Sequence, residues 1–267
     1  MTDAALDRFA CAYASHRQAE GRGYSGADLL SLPYLASGPH ARQWSVRARS
    51  FDALMTRVVG PLRARLGRAL TLLDLGAGNG WLSYRAALED NDAIALDVRS
   101  DDVDGLGAAA AFVERVPERM RCVVGSFDAI PLDDASVDIA VFNASLHYST
   151  GLHDTLCEAA RVVRPGGAIV IVDSPFYLSE RSGDAMIAEK RRDGPRTFGE
   201  HAPVLLGAPF IEFLTQARLT EASRASVLRW KRDRVLYPLW YELRPITAAL
   251  LGKRPPSRFD LWVAERP

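Results

Sequence analysis

The segment Thr71-Leu72-Leu73-Asp74-Leu75-Gly76-Ala77-Gly78-Asn79-Gly80-Trp81-Leu82 decides how the rest of the chain is read. A short apolar run ends in an acid, a loop with glycine at three alternate positions follows, and an apolar stretch of helical composition begins. That order predicts a buried strand, a tight turn and a helix N-terminus. Glycines in such a turn can take φ > 0 and let a ligand approach the backbone, and the first helical turn offers unpaired N–H groups. The spacing is G-x-G-x-G, whereas the dinucleotide fingerprint is G-x-G-x-x-G. Trp81 stands where that fingerprint has its last glycine, and an indole there would crowd the close helix–strand packing. Asp74 ends the strand, where a carboxylate suits a ligand with a positive group better than a pyrophosphate. The competing account is an ordinary glycine turn that binds nothing.

Working outward, strands are predicted at 69–75, 93–97, 121–124, 137–143, 168–173, 222–230 and 258–264. Helices are predicted at 80–88, 104–116, 152–163 and 210–217. Apolar, β-branched strands separated by helical lengths imply an α/β fold: a doubly wound, seven-stranded, mostly parallel sheet covered on both faces, its last strand antiparallel. Residues 1–68 contain no strand and form an N-terminal helical cap. Thr2 and Asp3 cap a first helix running to Ala19, and Gly21, Gly23 and Gly26 end it. From Trp44 to Leu66 a helical period returns, interrupted at Gly60-Pro61. Residues 69–267 form the core, with an insertion at about 175–209 that shows no clear period and another at about 231–256 that holds a broken amphipathic helix.

The chain of 267 residues carries 33 basic and 33 acidic residues, so no global field draws it to nucleic acid or to an anionic membrane. Its three cysteines, Cys11, Cys122 and Cys157, are odd in number and far apart, which argues against a disulfide framework or a zinc site and fits a reducing cytoplasm. The N-terminus lacks a secretory pattern, and no apolar run approaches the ~20 residues needed to span a bilayer. A small-molecule partner is expected, with no nucleic acid, no membrane insertion and no metal. Composition does not fix the oligomeric state.

Asp97 ends the second strand about 20 residues past the glycine loop, where an acid can accept hydrogen bonds from both ribose hydroxyls. Asp102 and Asp104, just behind it, read as helix-capping or solvated. Together these residues resemble the first motifs of the class I S-adenosylmethionine-dependent methyltransferases. The likeness runs through Asp74–Gly80, Asp97, Gly125-Ser126-Phe127-Asp128-Ala129-Ile130-Pro131-Leu132, Ser136-Val137-Asp138-Ile139-Ala140, Leu146-His147-Tyr148 and Glu158–Gly167. It is similar in order and spacing to the small-molecule branch that includes the ubiquinone/menaquinone-type enzymes. The resemblance covers about 69–173 and the final strand.

The resemblance implies S-adenosylmethionine as cofactor. The Gly76, Ala77, Gly78 and Gly80 backbone would wrap its methionine part, with Asp74 near the ammonium and Asp97 on the ribose. Ser126 and Phe127 would flank the adenine. Ser126 replaces an acid common in the family, so either its hydroxyl or the Asp128 carboxylate accepts from the adenine amino group. Asn143, a candidate cofactor-binding residue, follows the fourth strand, where the family's substrate-facing loop begins. The string Asn143-Ala144-Ser145-Leu146 differs from the Asn/Asp-Pro-Pro-Tyr/Phe of nucleobase amino-methylating relatives, which argues against DNA methylation. His147 is the candidate general base, since an imidazole titrates near working pH. Tyr34, His40, Tyr148, Phe176 and Tyr177 are the candidate acceptor-binding residues. Trp44, Arg47 and Arg49 lie nearby in the cap, and an Arg from it can meet the cofactor carboxylate. Three functions compete: a small-molecule methyltransferase, a nicotinamide-dependent oxidoreductase, and a non-catalytic partner protein of methyltransferase fold. Glycine spacing, Trp81 and Asp74 oppose the second. The intact loop and Asp97 oppose the third.

Overall fold

The computed structural model describes residues 3–224, 226 and 228–267. Helices α1 (Asp3–Ala19) and α2 (Gly26–Ser31) lead into α3 (Ala41–Leu54), which a π turn at Met55–Val59 joins to α4 (Gly60–Leu66). Pro61 lacks the N–H a regular helix would use, and the chain widens just before it. Then come β1 (Thr71–Leu75), α5 (Trp81–Leu88), β2 (Asp92–Asp97), a 3-10 turn (Leu106–Ala109) running into α6 (Ala110–Val113), and β3 (Met120–Val124). β4 (Val137–Asn143), α7 (Leu152–Val162) and β5 (Val163–Val172) complete the central unit. The remainder is α8 (Glu180–Phe198), α9 (Ala202–Gly207), α10 (Gln216–Ala222), β6 (Trp230–Asp233), α11 (Leu239–Glu242), α12 (Arg244–Leu250) and β7 (Leu261–Glu265).

The seven strands form one sheet in the order β3-β2-β1-β4-β5-β7-β6. The pairs from β3 to β5 are parallel, and β7 runs antiparallel to both β5 and β6. Period-2 alternation feeds two buried layers. Leu72, Ala93, Ala95, Ile139, Val141 and Val170 face one side, against Trp44, Phe51, Leu54 and Leu62 of the N-terminal helices. Leu73, Leu75, Ile94, Leu96, Ala140, Phe142, Ile169 and Ile171 face the other, against Leu156, Ala159 and Val162 of α7. Both faces being covered explains why the strands read as near-continuous apolar runs. β1 has β2 on one side and β4 on the other, so the winding reverses there. That reversal opens a crevice beyond the carboxyl ends of these strands, where open α/β sheets bind ligands.

Several elements depart from the sequence expectation. The helix expected at 104–116 shrinks to Ala110–Val113, because a Cβ on Gly105 or Gly107 would overlap Asp101 or Asp102 in a tight turn. β5 begins at Val163, before the expected residue 168: Gly166 takes φ 76, and Gly167 packs against the Asp138 carbonyl. The insertion at 175–209, expected without a period, contains the 19-residue helix α8. Ser179 caps it by accepting from the Ser182 N–H. Gly183 and Gly194, which read as helix breakers, are its contact face: a Cβ there would strike Phe213 and Leu206. Residues 210–214 are irregular, not helical, and their N–H groups are spent on the Ser149, His147 and Pro175 carbonyls among others. The helix starts only at Gln216, under a Thr215 cap. β6 is Trp230–Asp233, shorter than the expected 222–230. Ala225 and Val227 of that expected strand, and Thr2 of the expected N-terminal cap, lie outside the described residues.

Candidate active site

One cavity of about 370 Å³ opens at the carboxyl ends of β1, β2 and β4. Gly76, Ala77, Gly78 and Asn79 form its floor. Gly76, Gly78 and Gly80 all have positive φ, at 75°, 56° and 77°, which is why this turn carries glycine at alternate positions. At Gly76 a Cβ would also sit 2.5 Å from the Ser145 Cβ. The Gly76 and Ala77 N–H groups both donate to the Leu96 carbonyl, tying the loop to β2. Gly80 is where helix and sheet approach: a Cβ would lie 2.9 Å from the Met120 Cε. Trp81 therefore escapes the crowding that its position suggested and packs edge-on against Trp44 and Phe51 of α3.

Asp74 is fully buried beneath this loop, off the cavity wall. Its Oδ2 accepts from the Ser83 hydroxyl at 3.2 Å and its Oδ1 has no partner. Burial pushes its pKa up to about 7, against the pull of Ser83. Asp97 does reach the wall. Its Oδ2 accepts from the Gly78 N–H at 2.7 Å and its Oδ1 from the Arg99 N–H at 2.9 Å, which fixes the carboxylate between loop and strand. Burial raises its pKa, and the two backbone donors oppose that. Asp104 is neither solvated nor a helix cap. It is buried on the cavity wall, accepting from Asn79 Nδ2 at 3.2 Å and from Arg17 Nε at 2.6 Å. Asp101 closes the turn that precedes the 3-10 segment, accepting from the Val103 and Asp104 N–H groups.

Ser126, Phe127 and Asp128 line the far end of the cavity, beyond β3. Ser126 Oγ accepts from the Asp128 N–H at 3.1 Å. The Asp128 carboxylate is held by the Thr150 and Thr155 hydroxyls. Phe127 stands edge-on to Phe142 at 5.8 Å and reaches the Gly76 turn.

At the β4 end, Asn143 lines the cavity with its Oδ1 buried and unpartnered. Ala144 beyond β4 and Asp173 beyond β5 both take positive φ, at 54°. Non-glycine strain of this kind gathers at functional sites. Asp173 is 4% exposed; Oδ1 accepts from the Ser50 hydroxyl at 2.5 Å and Oδ2 has no hydrogen-bond partner. Ser50 Oγ in turn lies 2.9 Å from Tyr237 Oη. Arg47, on the cavity wall, stands 4.0 Å from Asp173 Oδ2.

His147 lies off the cavity wall. Its ring packs on Tyr148 at 4.2 Å, its Nδ1 is buried without a partner, and its carbonyl accepts from the Glu212 N–H. Burial, with the Lys190 and Arg47 charges, holds the imidazole pKa down to about 3. Tyr148 lines the cavity, its hydroxyl 3.1 Å from that of Tyr13. Tyr34 is exposed and hydrogen-bonds Asp52, and His40 Nε2 bonds the Glu20 carbonyl, so neither reaches the cavity. Arg49 is exposed and His153 bonds the Ala222 carbonyl, both away from it. Phe176 stacks on Trp262 at 4.7 Å and Tyr177 packs on Phe213, lining a separate groove.

The missing wall comes instead from α1 and one distant loop: Leu6, Phe9, Tyr13 and Arg17, with Phe210. Positions 6, 9, 13 and 17 share one helix face, so the period was present in the sequence, but nothing in it said what that face covers.

The strand order, the antiparallel seventh strand, the glycine loop after β1 and the acid after β2 define a Rossmann-like methyltransferase fold. Residues 73–171 match the family model described as a methyltransferase domain. Malonyl-(acyl-carrier protein) O-methyltransferase of Yersinia pestis is 32% identical over 170 residues, 61% of this chain and 60% of that protein. The ubiquinone/menaquinone biosynthesis C-methyltransferase of Dinoroseobacter shibae is 30% identical over 107 residues, 39% of this chain and 42% of that protein. Geranyl diphosphate C-methyltransferase of Streptomyces coelicolor A3(2), solved with Mg2+, geranyl diphosphate and S-adenosyl-L-homocysteine, shares the fold. Its TM-score is 0.57 at 18% identity, over 91% of this chain and 88% of that one. The first curated relatives are matched over about three fifths of their own length. Over residues 73–171 the chain is similar to class I S-adenosylmethionine-dependent methyltransferases, a group that includes small-molecule enzymes.

Proposed function

We propose that this chain transfers the sulfonium methyl of S-adenosylmethionine to a small-molecule acceptor. One observation carries the proposal: a positive-φ glycine loop and the buried Asp97 are locked together by the Gly78 N–H on the wall of one cavity. In this reading the Gly76–Asn79 backbone holds the methionine part and Asp97 takes the ribose hydroxyls. Phe127 flanks the adenine, with Ser126 or Asp128 accepting from its amino group. Arg47 meets the carboxylate, and Tyr148 with Phe9, Tyr13 and Phe210 closes the site. As the bond from the acceptor to the methyl carbon forms, the S–C bond breaks and leaves a neutral thioether. The methyl is already activated, so these residues contribute alignment and exclusion of water.

An imidazole with so low a pKa is neutral at pH 7 but has little affinity for a proton, which makes it a weak general base. His147→Gln is therefore expected to keep the methyl-transfer rate within about threefold, with an unshifted pH profile. Loss of the rate together with a lost acidic limb would instead restore His147 as base. The function itself is tested by calorimetry with S-adenosylhomocysteine and with NAD. Binding of the first alone is expected. Tight NAD binding without S-adenosylhomocysteine binding would overturn the proposal in favour of an oxidoreductase. Cofactor binding without turnover on a broad panel of hydroxyl, amine and thiol acceptors would favour the non-catalytic partner protein.

A further inference from the structure

Eleven large hydrophobic side chains are exposed among the described residues, and six of them fall between positions 236 and 251: Leu236, Leu239, Leu243, Ile246, Leu250 and Leu251. Leu239 is 73% exposed and Leu250 82%. Positions 239, 243, 246 and 250 follow helical spacing, and α11 and α12 run on through Leu243, so they form one stripe. The other side of the same segment is anchored. Tyr237 and Tyr241 are buried, Arg244 stacks over Tyr241, and the Tyr237 hydroxyl meets Ser50 beside Asp173. The segment is thus a fixed amphipathic ledge with its apolar face turned outward. Apolar patches of this kind on soluble chains mark interaction sites.

Charge indicates what covers it. The chain as a whole is neutral, yet residues 229–258 hold eight basic residues against two acids, Asp233 and Glu242. Glu189 and Asp260, outside the segment, pair with Arg254, Arg232 and Arg258, and cations still outnumber acids two to one. A two-fold contact with a second copy would set this basic surface against itself. An anionic bilayer complements it: basic residues are drawn to such a surface, and the aliphatic stripe enters the headgroup boundary. No helix among the described residues is long and apolar enough to cross a membrane.

We propose that the ledge at 236–251 is a docking surface for an anionic lipid bilayer, which the protein lies on without spanning. The proposal is independent of the methyl-transfer reading. The test is flotation of the full chain with vesicles of phosphatidylcholine alone, and of phosphatidylcholine mixed equally with phosphatidylglycerol. Binding to the mixed vesicles only is expected, weakened by salt, and reduced about tenfold or more in Leu239→Ser/Leu250→Ser. Both leucines are exposed, so the variant should keep the wild-type melting transition and S-adenosylhomocysteine affinity. Absent binding to the mixed vesicles, or equal binding by the variant, overturns the proposal. So does a wild-type dimer in sedimentation that the double variant converts to monomer without any vesicle binding. Failure of S-adenosylhomocysteine binding would count against the methyl-transfer reading alone.

Discussion

Asp97→Ala is expected to weaken S-adenosylhomocysteine binding by about 100-fold, near 2.7 kcal/mol, measured by calorimetry. Two losses add up. The carboxylate no longer receives the Gly78 and Arg99 N–H groups, so the glycine loop loses one of its ties to the end of β2 and keeps those to the Leu96 carbonyl. The ribose hydroxyls also lose a charged acceptor, and hydrogen bonds to charged groups contribute about 1.5–3 kcal/mol each. Asp97→Asn keeps an acceptor oxygen on the ribose side and gives up the charge, so about a tenfold loss is expected there. Affinity within threefold of wild type in Asp97→Ala would remove the proposed ribose contact. The alanine variant also leaves the Gly78 and Arg99 N–H groups without their acceptor, so a urea melt is run beside the calorimetry to separate lost stability from lost affinity.

The sheet was legible because its signals are local. Each strand from β1 to β5 is an apolar run bounded by turn residues, and the loop at Gly76–Gly80 states its own backbone conformation through its glycines. Asp97 was legible by distance from that loop. What escaped was set by tertiary packing. Gly183 and Gly194 look like breakers until Phe213 and Leu206 stand against them. Asp104 looks like a cap until Arg17 arrives from α1, 87 positions away. Tyr34, His40, Phe176 and Tyr177 have the residue type and the nearness in sequence to the core that a pocket wall needs, and the structure carries them elsewhere. Phe9, Tyr13 and Phe210 take the wall instead, since which amphipathic face closes a crevice depends on how a cap folds back. Asp173 closes the strand expected at 168–173 but lies one residue past the end of β5, and only the fold shows its strained backbone and its contacts with Ser50 and Arg47.

Asp74→Asn is expected to stabilise the free protein at pH 8 while leaving it unchanged near pH 4. The carboxyl is fully buried, and burial lifts its pKa from the ordinary aspartate value to about 7. A raised acid pKa means that the folded chain holds a proton the unfolded chain has already released. Stability therefore falls as pH rises from about 4 to about 7, and the whole cost is present above that window. Three pKa units set an upper bound of about 4 kcal/mol, and the amide leaves its own buried polar atoms, so a net gain of about 2 kcal/mol is expected at pH 8. Urea midpoints of both proteins across pH 4–8 check this, and parallel curves would refute it. In the proposed reading the same charge would act on the bound cofactor. Asp74 lies beneath the loop, so a cationic ammonium or sulfonium above it acts through space in a low-dielectric setting and favours the ionised form. Binding near pH 7 should then release a fraction of a proton from the wild type, seen as a buffer-dependent binding enthalpy, and none from Asp74→Asn. On that proposal the native aspartate would weaken the empty protein where it strengthens the loaded one, a reason for an acid to stand in a place where burial alone would favour an amide.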